Sequence, residues 1–97
     1  TGDEFGSAEA LRLNFVQKVV PSGTELEEAL AIADAIAAQA PLAVTATRLN
    51  TLKAVEQGPV VAMHEFIETQ QRLSRSEDAA EGVRSFVERR AARFQGR

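Results

Sequence analysis

Apolar residues recur every three to four positions along most of this chain, and proline or glycine interrupts the pattern at each change of element. That spacing predicts a string of amphipathic helices. Ser7 is placed to cap a short helix over Ala8 to Leu13, and Asn14 should end it, because asparagine tolerates a left-handed C-terminal cap. FVQKVVP, from Phe15 to Pro21, alternates with β-branched residues and reads as a short extended strand, followed by a turn at Pro21-Ser22-Gly23. Thr24 and Glu27 form a T-x-x-E capping box for the next helix, whose apolar face is Leu26, Leu30, Ala33 and Ala37, widened by Ile32 and Ile36. Pro41 should open a third helix and push Ala40 into an extended conformation. That helix carries Leu42, Ala46, Leu49 and Leu52 to Val55, and Gly58 closes it. Pro59 restarts the chain with Val60, Met63, Phe66, Ile67 and Leu73 in a stripe. Ser76 caps the last helix, with Ala79, Val83, Phe86 and Val87 as its expected inner face. The fold class is therefore mainly α, with about five helices and one short extended strand.

Composition changes this picture in one respect. Seventeen of the 97 residues are alanine, against five Phe and no Trp or Tyr, so the helices have little bulk with which to build a core. Such a segment is expected to lean on other protein surface, either further chain or neighbouring subunits. The chain opens TGDEF without an initiator Met, which fits a piece of a longer protein. Without cysteine there is no disulfide, thiolate metal site or Cys nucleophile. No apolar run approaches the roughly 18 residues of a membrane span and no signal peptide is visible. These features point to a soluble, reducing compartment. Nine arginines against two lysines, with so much alanine, suit a bacterial source with a GC-rich genome.

Charge is uneven. Arg84 to Arg97 holds five arginines and one acid, Glu88, a local +4; the chain as a whole is −3, so residues 1 to 83 sum to −7. A basic, partly apolar C-terminal patch suits an anionic ligand or partner, although arginines near a helix end also complement the helix dipole. Lacking aromatic interleaving and overall positive charge, it does not suit nucleic acid. Guanidiniums around an aromatic ring fit a phosphate-bearing small molecule with a planar base better. His64, the only histidine, has Glu68 rather than a second histidine at i+4, which is not enough to assign a metal site. The acidic pairs Glu27/Glu28 and Glu77/Asp78 stand at helix starts, where negative charge is favourable without any catalytic role. Asp3 and Glu4 lie in a polar loop and are candidates for the rim of a site. Neither a glycine-rich dinucleotide or Walker loop nor an H-E-x-x-H motif is present.

Two stretches carry a family resemblance. TGDEFGSAEALRLNFVQKVVP at the start is similar to the "T-G-D-x-(I/F)-x-A-x-E-A-x-x-x-G-L-V-x-x-V-V-P" stretch of the enoyl-CoA hydratase/isomerase (crotonase) family. SEDAAEGVRSFVERRAARFQGR at the end resembles its "S-x-D-x-x-E-G-x-x-A-F-x-E-K-R-x-P-x-F" stretch, and IAAQAPLAV lies between them at a similar helix–Pro–helix junction. Asn14 and Phe15 stand where Gly-Leu is usual, Ser85 replaces Ala, Arg89 replaces Lys and Ala92 replaces Pro.

The resemblance implies the C-terminal helical part of an α/β enzyme whose spiral of ββα units, catalytic backbone N–H groups and carboxylates all lie upstream of Thr1. Residues 1–23 would end that core, and 24–97 would form the trimerisation region of a homotrimer or hexamer. No catalytic and no metal-binding residue is then expected here. Phe86 would line the acyl or pantetheine end of a coenzyme A thioester, and Arg89 would meet its adenine or phosphate. Arg90 and Phe94 match the motif and are assigned first to salt bridging and packing. The implied parent is a bacterial cytoplasmic enzyme acting on acyl-CoA substrates, most simply an enoyl-CoA hydratase of fatty-acid or related acyl-CoA metabolism. It would need no prosthetic group, with coenzyme A entering as part of the substrate, and neither nucleic acid nor membrane would be a partner. Isomerase or thioester hydrolase activity, non-catalytic binding of CoA esters, and a free-standing helical interaction module docking an acidic partner remain alternatives.

Overall fold

A computed structural model describes all 97 residues, Thr1–Arg97. It contains five helices: α1 (Ser7–Arg12), α2 (Glu25–Ala37), α3 (Pro41–Gln57), α4 (Pro59–Leu73) and α5 (Glu77–Glu88). The mainly helical architecture read from the apolar spacing is present. Phe15 to Pro21 forms no strand, because a strand needs a partner for its backbone ladder and these residues have none.

The chain divides into two compact units, Thr1–Ala33 and Asp34–Arg97. In the first, α1 starts after Gly6, which contributes no side-chain cap, so Ser7 is the first helical residue rather than the cap. Its end is a Schellman turn: Phe15 N–H reaches Ala10 O at 2.9 Å and Asn14 N–H reaches Leu11 O at 3.0 Å. Asn14 takes the left-handed position with φ 56°, as its side chain allows. The Glu9 carboxylate receives Arg12 through two bonds of 2.6 and 2.7 Å. Phe5 and Phe15 meet edge to face with centroids 6.0 Å apart.

The expected Thr24–Glu27 capping box is absent. The Thr24 hydroxyl donates to Pro21 O at 2.8 Å, and Glu25 instead turns back to take the Gly23 N–H at 2.9 and 3.0 Å. Its own N–H and that of Gly23 hold the Glu25 carboxyl below the usual carboxylate range. The carboxylate two residues further on was free to bend into the turn, and the hydroxyl was already committed to the proline carbonyl.

In the second unit, Ala40 is extended (ψ 113°) and Pro41 opens α3 without needing a backbone donor. Gly58, at φ 93°, separates α3 from α4 and Pro59 opens α4. The two helices pack against each other as a hairpin, tied by an ion pair between Lys53 and Glu65. Ala62, on α4, is buried. The resulting seam is lined by Ala46, Asn50, Phe66, Thr69 and Leu73.

Bulk apolar burial is what the chain lacks. Ala10 and Ala62 are its only buried apolar residues, and no large side chain is fully enclosed. Leu26, Leu30, Val55, Val60, Met63, Ile67, Val83, Phe86 and Val87 all stand exposed. Large exposed apolar patches commonly mark sites of protein or membrane contact.

Candidate functional site

The C-terminal helix and the tail behind it concentrate the polar organisation of the second unit. The Ser76 Oγ accepts the Ala79 N–H at 3.1 Å, so α5 is capped as its sequence requires, and Glu77 and Asp78 occupy its positive first turn. At the other end the chain makes a second Schellman turn. Arg90 N–H reaches Ser85 O at 3.1 Å and Arg89 N–H reaches Phe86 O at 3.3 Å. Arg89 occupies the left-handed position, φ 52° and ψ 43°, where glycine is the usual residue.

Beyond this turn the tail doubles back along α5. The carboxylate of Asp78 accepts the N–H of Gln95 at 2.6 Å and of Gly96 at 2.8 Å, while its own N–H donates to Arg97 O at 3.0 Å. Glu81, one turn further on, accepts Arg90 at 2.5 and 3.0 Å and the Arg93 N–H at 2.9 Å. The Arg90 guanidinium, then the Arg93 N–H, lower the Glu81 carboxyl to about 2. Glu81, and next Glu88, raise Arg90 above its ordinary value. Phe94 lies over Gly82, 3.8 Å from where a β-carbon would stand, and the buried Ser85 hydroxyl donates to Gly82 O at 2.9 Å. A charged cleft of about 500 Å³ opens here, lined by Glu77, Asp78, Glu81, Arg84, Arg90, Arg93, Gln95 and Arg97.

Two expectations change. The basic patch is largely neutralised from within: Arg90 pairs with Glu81 and Glu88 at 2.5 Å, Arg97 with Glu77 at 2.8 Å, and Arg84 lies 3.6 Å from Glu81. Arg89 and Arg93 are the arginines of this stretch whose side chains form no ion pair. The inner face of α5 is also not the apolar stripe. Val83, Phe86 and Val87 are 68 to 85% exposed, whereas Asp78 and Ser85 are buried beneath the tail. Hydrogen bonds to three tail amides hold the tail on this side, and the stripe lies outside that contact.

The structure thus brings Phe86 and Arg89 to one end of α5, joined by a backbone hydrogen bond and both exposed. Arg90 is in ion pairs and Phe94 is half-buried in packing, as the sequence assigned them. His64 sits on an exposed apolar patch of α4 with Pro59, Val60, Met63 and Ile67. No group of three or more His, Asp or Glu is placed to hold a metal ion. Asp3 accepts the Thr1 hydroxyl at 2.8 Å in an exposed loop. No single helix is long and apolar enough to cross a membrane. Sequence reasoning missed Asp78 and Glu81 as tail-binding groups; their i, i+3 spacing, which puts both on one helix face, was the available signal.

Comparison with known proteins gives a consistent match. The family model for enoyl-CoA hydratase/isomerase matches residues 1–97. Enoyl-CoA hydratase EchA19 of Mycobacterium tuberculosis is 41% identical over all of this chain and 36% of its own length. Carnitinyl-CoA dehydratase of Proteus mirabilis is 34% identical, over all of this chain and 39% of its length. A crystal structure of a probable enoyl-CoA hydratase/isomerase from Mycobacterium abscessus superposes with a TM-score of 0.94 at 44% identity, covering 100% of this chain and 38% of that one. The chain therefore spans a little over a third of the length of these relatives and corresponds to their C-terminal part.

Proposed function

This chain belongs to the enoyl-CoA hydratase/isomerase (crotonase) family, and from that premise we propose that it is the C-terminal helical region of an acyl-CoA-processing enzyme. The activity we assign to the whole protein is hydration of 2-enoyl-CoA thioesters in a bacterial cytoplasm. Within it, residues 1–23 end the catalytic core, while 24–97 supply the contacts of a trimer or hexamer and part of the coenzyme pocket. The chemistry is carried by groups outside these residues: backbone donors that stabilise an enolate-like oxyanion, and carboxylates that deliver water to the double bond.

The observation that carries the reading is the bareness of the helix faces. Helices that carry exposed apolar faces and enclose no large side chain suit a surface that another polypeptide completes. Phe86 and Arg89 fit a CoA thioester in kind. An exposed ring accepts the acyl or pantetheine arm, and an unpaired guanidinium suits a phosphate or stacks on adenine. Coenzyme A enters as substrate, and no prosthetic group is required.

The test is steady-state kinetics of the full-length protein carrying Phe86→Ala and Arg89→Ala. Burial of a Phe contributes about 2 kcal/mol and a charge-assisted hydrogen bond about as much, so KM for an enoyl-CoA should rise at least about tenfold with a much smaller fall in kcat. An unchanged KM would remove both residues from the coenzyme pocket.

A further inference from the structure

The acids of α5 do more than favour the helix N-terminus. A carboxylate that only complements the dipole points to its own first-turn N–H groups, yet both oxygens of Asp78 are spent on Gln95 and Gly96, seventeen and eighteen residues away. Asp78 is 3% exposed, deep for a carboxylate with no cationic side chain on it, so those amides satisfy it. Glu81 stands on the same helix face and holds Arg90 and the Arg93 N–H. Between α5 and the tail that these anchors hold, the chain turns back through the left-handed Arg89.

That reversal is costly for an arginine. A non-glycine residue in the left-handed region persists where its surroundings over-determine it. Here they do: Arg90 N–H is bonded to Ser85 O, the Arg90 guanidinium to Glu81 and Glu88, and three tail amides to the two acids. A glycine would make the same turn without strain but would bring no side chain to its apex.

We propose that Asp78 and Glu81 are positioning residues, a two-point clasp that fixes the tail on α5 and thereby holds Arg89 at the apex of the turn, oriented for the acyl-CoA. The proposal rests on the reading of Arg89 as a coenzyme contact and adds how the contact is set.

The experiment uses the full-length protein with Asp78→Asn, Glu81→Gln and both, each alone and with Arg89→Ala. Amide hydrogen exchange at Arg93, Gln95 and Gly96 should accelerate in the clasp variants while exchange in α3 and α4 does not change. KM for an acyl-CoA should rise about fivefold or more with kcat within about twofold, and in the Arg89→Ala background the clasp variants should add less than about twofold to KM. Glu81→Asp, which keeps the charge, should recover part of the loss. Should Asp78→Asn fail to accumulate, Glu81→Gln, at the more open anchor, carries the test. Unaltered tail exchange overturns the clasp. Faster exchange with KM effects that multiply independently of Arg89, or with kcat falling as much as KM rises, overturns the positioning role. An unchanged KM in Arg89→Ala alone overturns the coenzyme contact itself, and the exchange data keep that result apart from failure of the clasp.

Discussion

Expressed by itself, this chain should form helices without forming a fixed core. In the unit Asp34–Arg97, thirteen large apolar side chains, from Ile36 to Val87, are 40 to 85% exposed. Complete burial of each is worth about 1.5–3 kcal/mol, so roughly half-exposed they forgo about 1 kcal/mol apiece. The total, about 13 kcal/mol, is comparable to the whole net stability of an ordinary domain, about 5–15 kcal/mol. Two buried alanines do not replace it. The assay is a thermal scan of the 97-residue polypeptide by calorimetry and far-UV circular dichroism, with dye binding and NMR dispersion alongside. Helical signal, bound dye, narrow dispersion and a broad, non-cooperative melt are expected. A monomer melting in one sharp transition with an enthalpy of about 70 kcal/mol, as a well-packed domain of this length would, refutes the argument.

Three further outcomes follow from individual residues. Arg89→Gly in the full-length protein should raise thermal stability by about 1 kcal/mol through relief of left-handed strain while raising KM for acyl-CoA; a lowered melting temperature would contradict the strain account. Because the Glu81 carboxyl is about 2 in the folded chain against an ordinary 4.5, its ion pairs contribute stability that is full above pH 4.5 and lost as pH falls toward 2. Glu81→Gln should flatten the acid limb of a stability–pH profile in that window, and an unchanged slope would show that the pairs do not bear on folding. Ser76→Ala should cost about 1 kcal/mol by removing the bond to Ala79 N–H, whereas Thr24→Ala, whose hydroxyl caps no helix N–H, should cost distinctly less in the same denaturant titration.

What the sequence revealed is mostly what neighbouring residues decide among themselves. Pro41, Gly58, Pro59 and Ser76 act on their own backbone or the next turn, so the boundaries of α3, α4 and α5 were legible. Asn14 announced its left-handed turn because its short amide is one of the few side chains that accepts it. Arg89 takes the same conformation without any such signal, since the cause lies in the contacts of the next residue, Arg90, with Glu81, Glu88 and Ser85. Thr24 misled for a related reason: its hydroxyl bonds the Pro21 carbonyl in the preceding turn rather than a helix N–H. Apolar periodicity located the stripes of α4 and α5 but carries no information about what covers them. The inward face expected of Val83, Phe86 and Val87 is therefore an outward one. Charge counting had the same limit, because the basic excess after Arg84 ignores acids brought back to it by the folded tail.

On the proposed function, bare helix faces and the exposed end of α5 are completed by an enzyme body, by sister subunits and by a CoA thioester. A crystal structure of the full-length protein with a bound acyl-CoA analogue tests it most directly. The stripes of α2 to α5 should then be covered by other protein, and the Phe86 ring and Arg89 guanidinium should lie within about 4 Å of the ligand. Stripes still open to solvent, with both side chains remote from the bound thioester, would contradict it.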